Sequence, residues 1–310
     1  MILTVTLNAA LDITYHLDRL RPHRSNRVRS VVQRAGGKGV NVSRVLHALG
    51  QPTAVTGLAG GPTGEALRSE LASAGLADRL VPIADESRRT VTVVDELAGD
   101  ATILLEPGPL VSTGEWDRFL DRLDTLLPAA QAVVFSGSLP RGVPADAYAE
   151  LVLLAHTHGV PAVVDADGPA LRASLAAKPA LVKPNADELA AVTGLRDPVR
   201  AAHALQGAGA KSVVASLGPD GLIAVTPDGS WQACVPERLF GNPTGAGDAA
   251  VAALTLGLVT GASWPDRLAE AVALSAAAVA APLAGDFDPV VRAGLLPLVE
   301  IQPLRSLLCP

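Results

Sequence analysis

The sequence predicts an α/β fold, with a mostly parallel central sheet covered by helices on both faces and a small β-sheet lid. Three observations carry that expectation. Short, continuously apolar β-type runs alternate along the chain with longer segments of helical periodicity, the pattern of strands buried on both sides. Hydrophobic residues make up 49 % of the 310 positions and aromatics only 3 %, so Ala, Val and Leu must fill a sizeable core. Two stretches, about 12–30 and 88–107, break the alternation and read as a lid over the carboxyl ends of the main strands.

Taken in order, "ILTVTL" reads as the first strand. "KGVNVSRVLHALG" reads as a helix, with Val40, Val42, Val45, Leu46 and Leu49 on its apolar side and a stop at Gly50. "TAVTGLAG" is a strand and "TGEALRSELASAG" a helix closed by glycine. "RRTVTVVDELAGDATILLEPG" reads as two lid strands joined by a turn at Gly99 and Asp100. Further on, "QAVVFSG", "PAVVDAD", "ALVKPN" and "KSVVASLG" are short strands, separated by helical segments such as "ADAYAELVLLAHTHG" and "DPVRAAHALQGAG". No linker or repeat divides the chain, so positions 1–310 are expected to form one domain.

Bulk properties narrow the function. The net charge is −6 and there is no arginine-rich arm, which argues against nucleic acid as a partner. The one local basic cluster lies between Arg19 and Arg34. Two cysteines, Cys234 and Cys309, make no disulfide framework or metal spacing, and a cytoplasmic setting is expected. The start has no basic segment ahead of its apolar run, so it does not read as a signal peptide. "LAEAVALSAAAVAAPLAG" carries Glu270 and Pro282 and reads as a buried helix, not a membrane span.

In open α/β sheets, ligands bind beyond the carboxyl ends of the strands. Polar groups follow five of the expected strands. They are Asn8 and Asp12; Ser136 and Ser138; Asp165 and Asp167; Lys183, Asn185 and Glu188; and Ser216 with Gly218. In "AGGKGVNVSR", Gly36, Gly37 and Gly39 let backbone approach a ligand, and Lys38 can neutralise a phosphate. This is neither a Walker A loop nor a GxGxxG fingerprint. No GxSxG surrounds Ser136 or Ser138, and the six histidines are scattered.

In "GNPTGAGDAAVAALTLG", Thr244 is the expected N-cap and 245–247 begin a helix whose first-turn amides have no acceptors. Those amides can bind charge on a transferring phosphoryl group, and Asp248 beside them can act as a general base. Locally, Asp248 could equally be an acidic first-turn residue that offsets the helix dipole.

Together these pieces resemble the ribokinase-like (phosphofructokinase B) carbohydrate kinase family over essentially the whole chain. The motifs "TLNAALD", "AGGKGVNVSR", "SGSLPRG", "LVKPNADEL", "SLGPDG" and "TGAGDA" occur in family order. The AGGKG lysine, "NRV" at 26–28, GSLP and "PGP" at 107–109 are similar to the branch of 1-phosphofructokinase and tagatose-6-phosphate kinase. The resemblance implies a three-layer α/β/α ribokinase-like domain with a β lid, ATP with Mg²⁺ as donor, and a sugar phosphate as acceptor. It implies Asp248 as base and Gly245, Ala246 and Gly247 as anion hole. It assigns Asp12, Gly36, Gly37, Lys38, Asn41, Arg89 and Ser138, with Arg27 in support, to the acceptor. Lys183, Asn185, Ser216, Gly218 and Gly221 fall to the nucleotide, and Glu188 to an indirect influence on magnesium. A homodimer through the lid edge is a further expectation.

The chain departs from the family pattern at Ala9, at 90–93, at Ile103 to Leu105 before the PGP, and at 282–288. These lie mostly on the acceptor side and leave the acceptor open. Fructose 1-phosphate is the leading expectation; tagatose 6-phosphate, fructose 6-phosphate and an unphosphorylated sugar or nucleoside are the alternatives. A catalytically silent sugar-binding regulator is the reading from another class, and the intact 245–248 segment weighs against it.

Overall fold

Leu3, Val5 and Leu7 enter one hydrophobic cluster, while Ile2 enters another and Thr4 bonds to Ser43 at 2.8 Å. A strand that buries both sets of alternating side chains needs a covered layer on each face. The computed structural model, which describes residues 1–304, supplies both layers. Its strands are β1 (Ile2–Thr6), β2 (Ala10–Leu17), β3 (Ser30–Gly36), β4 (Thr53–Gly60), β5 (Ala77–Asp78), β6 (Val81–Ile83), β7 (Arg88–Asp95), β8 (Asp100–Leu105), β9 (Ala132–Ser136), β10 (Ala162–Asp165), β11 (Leu181–Val182), β12 (Val213–Ser216), β13 (Leu222–Thr226), β14 (Gly229–Cys234) and β15 (Glu300–Pro303). Its helices are α1 (Lys38–Ala48), α2 (Gly61–Ser73), α3 (Thr113–Leu126), α4 (Ala147–Thr157), α5 (Gly168–Ser174), α6 (Ala186–Thr193), α7 (Pro198–Gly207), α8 (Ala246–Thr260), α9 (Trp264–Val279) and α10 (Pro289–Leu295).

The main sheet runs β15-β14-β13-β12-β11-β10-β9-β1-β4-β5, with β6 also paired to β4. From β12 to β5 the pairs are parallel; β12-β13, β13-β14 and β14-β15 are antiparallel. Helices α1, α8 and α9 cover one face through Val42, Val45, Leu46, Val251, Leu254, Leu268 and Leu274. Helices α3 to α7 cover the other through Trp116, Phe119, Tyr148, Leu151, Leu171, Leu189 and Leu205. The expected strand at "TAVTGLAG" coincides with β4, and the Ala-rich stretch forms the buried helix α9. Among the described residues, no helix is long and apolar enough to cross a membrane.

The second sheet, β3-β2-β7-β8, is built from the two stretches that broke the sequence rhythm. Its β2-β3 hairpin spans 10–36, wider on both sides than the expected 12–30, because the pairing begins at Ala10 with Gly36. β7 and β8 pair antiparallel from Thr90 with Leu105 to Asp95 with Asp100, around the expected turn. β2 lies parallel to β7, with Asp12 opposite Thr90.

Cys234 is a half-buried free thiol, and Cys309 lies outside the described residues. His158 stands just past the end of α4 and pairs with Asp124 at 2.7 Å, on the exterior. His158 lines neither cleft described below.

Candidate active site

Parallel strands end at one edge of a sheet, so the residues after β1, β9, β10, β11 and β12 converge there. Two clefts meet at this edge. One, of about 510 Å³, is lined by Asp12, Gly37, Lys38, Asn41, Arg88, Leu105, Asp165, Lys183, Glu188, Thr244, Gly245 and Asp248. The other, of about 450 Å³, is lined by Gly218, Gly221, Ala246 and a loop that includes Arg238 and Phe240. Asn185, Ser216 and Gly247 belong to both. The start of α8 therefore sits where the two clefts join.

The α8 N-terminus owes its shape to Gly245. This residue, not Thr244, is the N-cap: its φ of 88° is left-handed, and no side chain caps the helix. The expected threonine cap fails because the chain reverses at Gly245, which leaves Thr244 in the turn before the helix. A Cβ on Gly245 would meet Ala284 Cα and Gly285 N at 3.0 Å, so glycine is required on both counts. The Ala246 N–H donates to the Pro243 carbonyl at 3.2 Å. The Gly247 and Asp248 amides follow in the first turn, where helix geometry offers no acceptor one turn back. Gly37 plays a matching part at α1, with φ 107° as its N-cap. Two helix N-termini thus face the cleft region, a setting that favours anions.

Asp248 is 6 % exposed and accepts a hydrogen bond from Asn41 Nδ2 at 2.8 Å. Burial, then the charge of Asp165, push its pKa up to about 7; the Asn41 hydrogen bond and the ammonium groups of Lys38 and Lys183 oppose the shift. A carboxylate near neutrality is suited to take a hydroxyl proton and hold it.

Around Asp248 lies a charged cluster. Asp165 is 1 % exposed, 3.6 Å from Lys38 Nζ and 3.5 Å from Lys183 Nζ, and accepts from Ser136 Oγ at 3.2 Å. Burial works against the Lys38 ammonium, yet Asp165, Glu188, Asp248 and Asp167 outweigh it and raise its pKa. From sequence, Asp165 reads equally as a site residue or as one that caps a helix or pairs with lysines; the structure shows the lysine pairing, buried, at the cleft. Its signal was its place directly after an apolar strand. Glu188 serves two ends: it closes a reciprocal capping box with Asn185 at 2.8 Å and lies 4.0 Å from Lys38.

Where the second sheet meets the larger cleft, burial lifts the Asp12 pKa to about 6, against a Thr90 hydrogen bond and the charges of Arg88, Arg34 and Arg44. Gly36 leaves no room for a Cβ beside the Asp12 carboxylate. Ser138 Oγ accepts from Asn8 Nδ2 at 3.0 Å. Of the two adjacent arginines, the structure turns Arg88 into the cleft, where its Nε donates to the Asn8 carbonyl at 3.1 Å. Arg89, the residue expected there, points to the opposite face of the lid and pairs with Glu106 at 2.9 Å. Strand alternation permits only one of the pair to face inward. Arg27 is exposed in the loop between β2 and β3 and lines neither cleft.

The Gly-rich loop and the 282–288 segment also join the lid to the body. Arg34 on β3 donates to Asp286 at 2.7 and 2.5 Å, and Gly285 lies against Asn41 and Arg44. Among the described residues, no group of three or more His, Cys, Asp or Glu side chains forms a metal site.

Residues 5–290 match the family model described as pfkB family carbohydrate kinase. The fold is similar to Escherichia coli phosphofructokinase-2 in complex with potassium, with TM-score 0.90, 32 % identity, and 96 % of this chain and 98 % of that one covered. A complex of the same enzyme with fructose 6-phosphate matches with TM-score 0.87 and 33 % identity, covering 95 % and 98 % of the two chains. A possible 1-phosphofructokinase of Thermotoga maritima matches with TM-score 0.90 and 28 % identity, covering 98 % and 100 %. Ribokinase of Arabidopsis thaliana, at 22 % identity and TM-score 0.73 over 95 % and 98 %, shares the fold.

Proposed function

The chain belongs to the pfkB family of carbohydrate kinases, and on that premise we propose that it is an ATP-dependent phosphosugar kinase, with fructose 1-phosphate as acceptor and fructose 1,6-bisphosphate as product. The observation that carries this reading is the junction of the two clefts at Asn185, Ser216 and Gly247, beside Asp248, which gives donor and acceptor separate rooms and one shared doorway. The larger cleft takes the acceptor. A phosphate group brings about two negative charges near neutral pH. Arg88 and Lys38 line the cleft, with the charges of Arg34 and Arg44 close to Asp12. Arg88 takes the role that the resemblance had assigned to Arg89. Asp12 and Asn41 hold sugar hydroxyls, with Gly36, Gly37 and Ser138 shaping the floor. The smaller cleft takes the nucleotide, with Asn185, Ser216, Gly218 and Gly221 along the phosphate path and Lys183 reaching it from the larger cleft.

In the reaction, an acceptor hydroxyl approaches Asp248, which removes its proton as the new P–O bond forms. The Gly247 and Asp248 amides and Lys38 draw charge from the transferring oxygens, and the bond to ADP breaks on the far side. The protein offers few ligands of its own to Mg²⁺. The buried Asp165 Oδ1, which has no hydrogen-bond partner and lies 3.5 Å from Lys183 Nζ, and the Glu188 carboxylate are the groups that would hold it, together with the nucleotide phosphates. When bound, the ion would neutralise phosphate charge. Asp12 and Arg88 belong to lid strands, so lid closure would assemble the acceptor site and exclude water together.

The likeness to the fructose 6-phosphate complex of phosphofructokinase-2 favours a second reading, in which fructose 6-phosphate is the acceptor. A dimer through the lid is part of the proposal. Ile103, Leu104 and Leu105 on edge strand β8 are 51, 57 and 68 % exposed, and phosphofructokinase-2 has a tetrameric inhibited form.

The test is Asp248→Asn, assayed by ADP release at saturating ATP and phosphosugar. Turnover should fall by at least about 100-fold with the fold intact. Near-normal turnover would remove Asp248 from the chemistry.

A further inference from the structure

Phe240 is 86 % exposed, whereas Phe119 and Phe135 are fully buried. A protein with four phenylalanines in 310 residues leaves this one at the mouth of a cleft. Its position is not that of a loose tip. Two residues later the loop is tied down: the Asn242 N–H donates to the Val279 carbonyl at 2.9 Å, and its side chain donates to the Pro282 carbonyl at 3.1 Å. Upstream, the Arg238 guanidinium carbon sits 5.7 Å from the Phe240 ring centroid, a cation–π arrangement that fixes one face of the ring.

The cleft behind Phe240 is walled by Pro219, Leu222, Val235, Val272, Ala276 and Val279. Two of the polar side chains lining it are engaged elsewhere. The Ser275 hydroxyl donates to the Ala246 carbonyl at 2.9 Å, and Asn185 caps α6. A flat heteroaromatic ring fits such a room through its faces. Its edges meet aliphatic groups that cannot read donors and acceptors. The cleft is continuous at Gly247 with the phosphoryl-transfer point, so a ring held here would carry its phosphates to the α8 N-terminus.

We propose that Phe240, backed by Arg238, stacks on the base of the nucleoside triphosphate donor, and that the donor site selects a base by its π face and not by its edges. This rests on the kinase reading above. It follows that purine donors other than ATP are accepted.

The test is a calorimetric titration of ATP, without acceptor, into the wild type, Phe240→Ala and Phe240→Tyr, with ITP and GTP added for the wild type. Base–aromatic stacking sets the expected loss in Phe240→Ala at about 5- to 100-fold in ATP affinity. Phe240→Tyr should bind within about threefold of the wild type, and ITP and GTP within about tenfold of ATP. In steady state, Phe240→Ala should raise the KM for ATP while kcat and the acceptor KM stay within about twofold. Unchanged ATP affinity in Phe240→Ala would overturn the proposal, as would a tyrosine variant as weak as the alanine one. Rejection of ITP and GTP by more than about 100-fold would overturn its base-tolerance half. Because the titration needs no acceptor, the two readings fail separately. Phe240-dependent ATP binding with no turnover of any sugar sinks the kinase reading and leaves this one. Turnover with Phe240-independent binding does the reverse.

Discussion

At the scale of the residue, the proposed mechanism rests on Asp248, a buried carboxylate. Its pKa is raised from 3.8 to about 7 by burial and by Asp165. Between those values the native state holds a proton that the unfolded chain has lost. Stability from this group is therefore greatest below about pH 4, falls as pH rises, and stays reduced above about pH 7. Asp248→Asn removes that penalty. At pH 8 the variant should be more stable than the wild type by on the order of 2–4 kcal/mol, with the gap closing toward pH 4 in denaturant titrations. Activity runs the other way, because the base must be ionised: kcat/KM should decline as pH drops through about 7. A flat profile from pH 5 to 8 would contradict that assignment. The arginine pair gives a second residue-scale expectation. Arg88→Met should raise the phosphosugar KM by at least about tenfold, while Arg89→Met, which loses only an exposed pair with Glu106, should change it less than about threefold. Choosing between these two neighbours was beyond the sequence. In a strand, adjacent side chains face opposite ways, and "RR" carries no mark of which is inward until the β2-β7 register is known.

At the scale of the element, the α8 entry and the lid are the parts whose geometry matters most. The sequence signalled α8 strongly, through glycines ahead of an unbroken apolar run, yet pointed to Thr244 as its cap. The cap is Gly245, because the turn needs a positive φ and the 282–288 segment leaves no space for a side chain. That packing across the fold has no local sequence signal. Gly245→Ala should lower stability by about 1–3 kcal/mol, read as a fall in Tm, and should cut kcat by at least about tenfold as the first-turn amides shift. The lid was legible as two β-like stretches, and its link to the body was not. Arg34 and Asp286 are 252 positions apart and meet only in the folded chain. If that bidentate pair helps to hold the lid down, Arg34→Met should raise ADP release in the absence of acceptor relative to turnover with it, since water then reaches the donor. An unchanged ratio would confine the pair to a structural role. The loop with Arg238 and Phe240 at the smaller cleft was invisible for another reason: an irregular segment has no periodicity to read.

At the scale of the whole molecule, sequence order and strand order explain why so much of the site could be anticipated. Asn8, Ser138, Asp165, Lys183 and Ser216 each follow an apolar strand, and parallel pairing brings all five strand ends to one edge. The lid then lowers Asp12, Arg88 and Leu105 onto that edge. Leu105 brings an apolar side chain to the cleft beside Asp12 and Arg88. The exposed apolar run Ile103 to Leu105 should make the protein a dimer, and Leu104→Glu should shift its sedimentation to that of the 31.6 kDa chain. The central claim is phosphoryl transfer from ATP to a sugar that already carries a phosphate. Its most direct measurement is ADP release with fructose 1-phosphate, fructose 6-phosphate, tagatose 6-phosphate, fructose and ribose, each over a range of concentrations. One phosphosugar, fructose 1-phosphate first among them, should exceed the free sugars in kcat/KM by at least about 100-fold. Turnover of a free sugar equal to that of every phosphosugar, or no turnover of any phosphosugar, would contradict the claim.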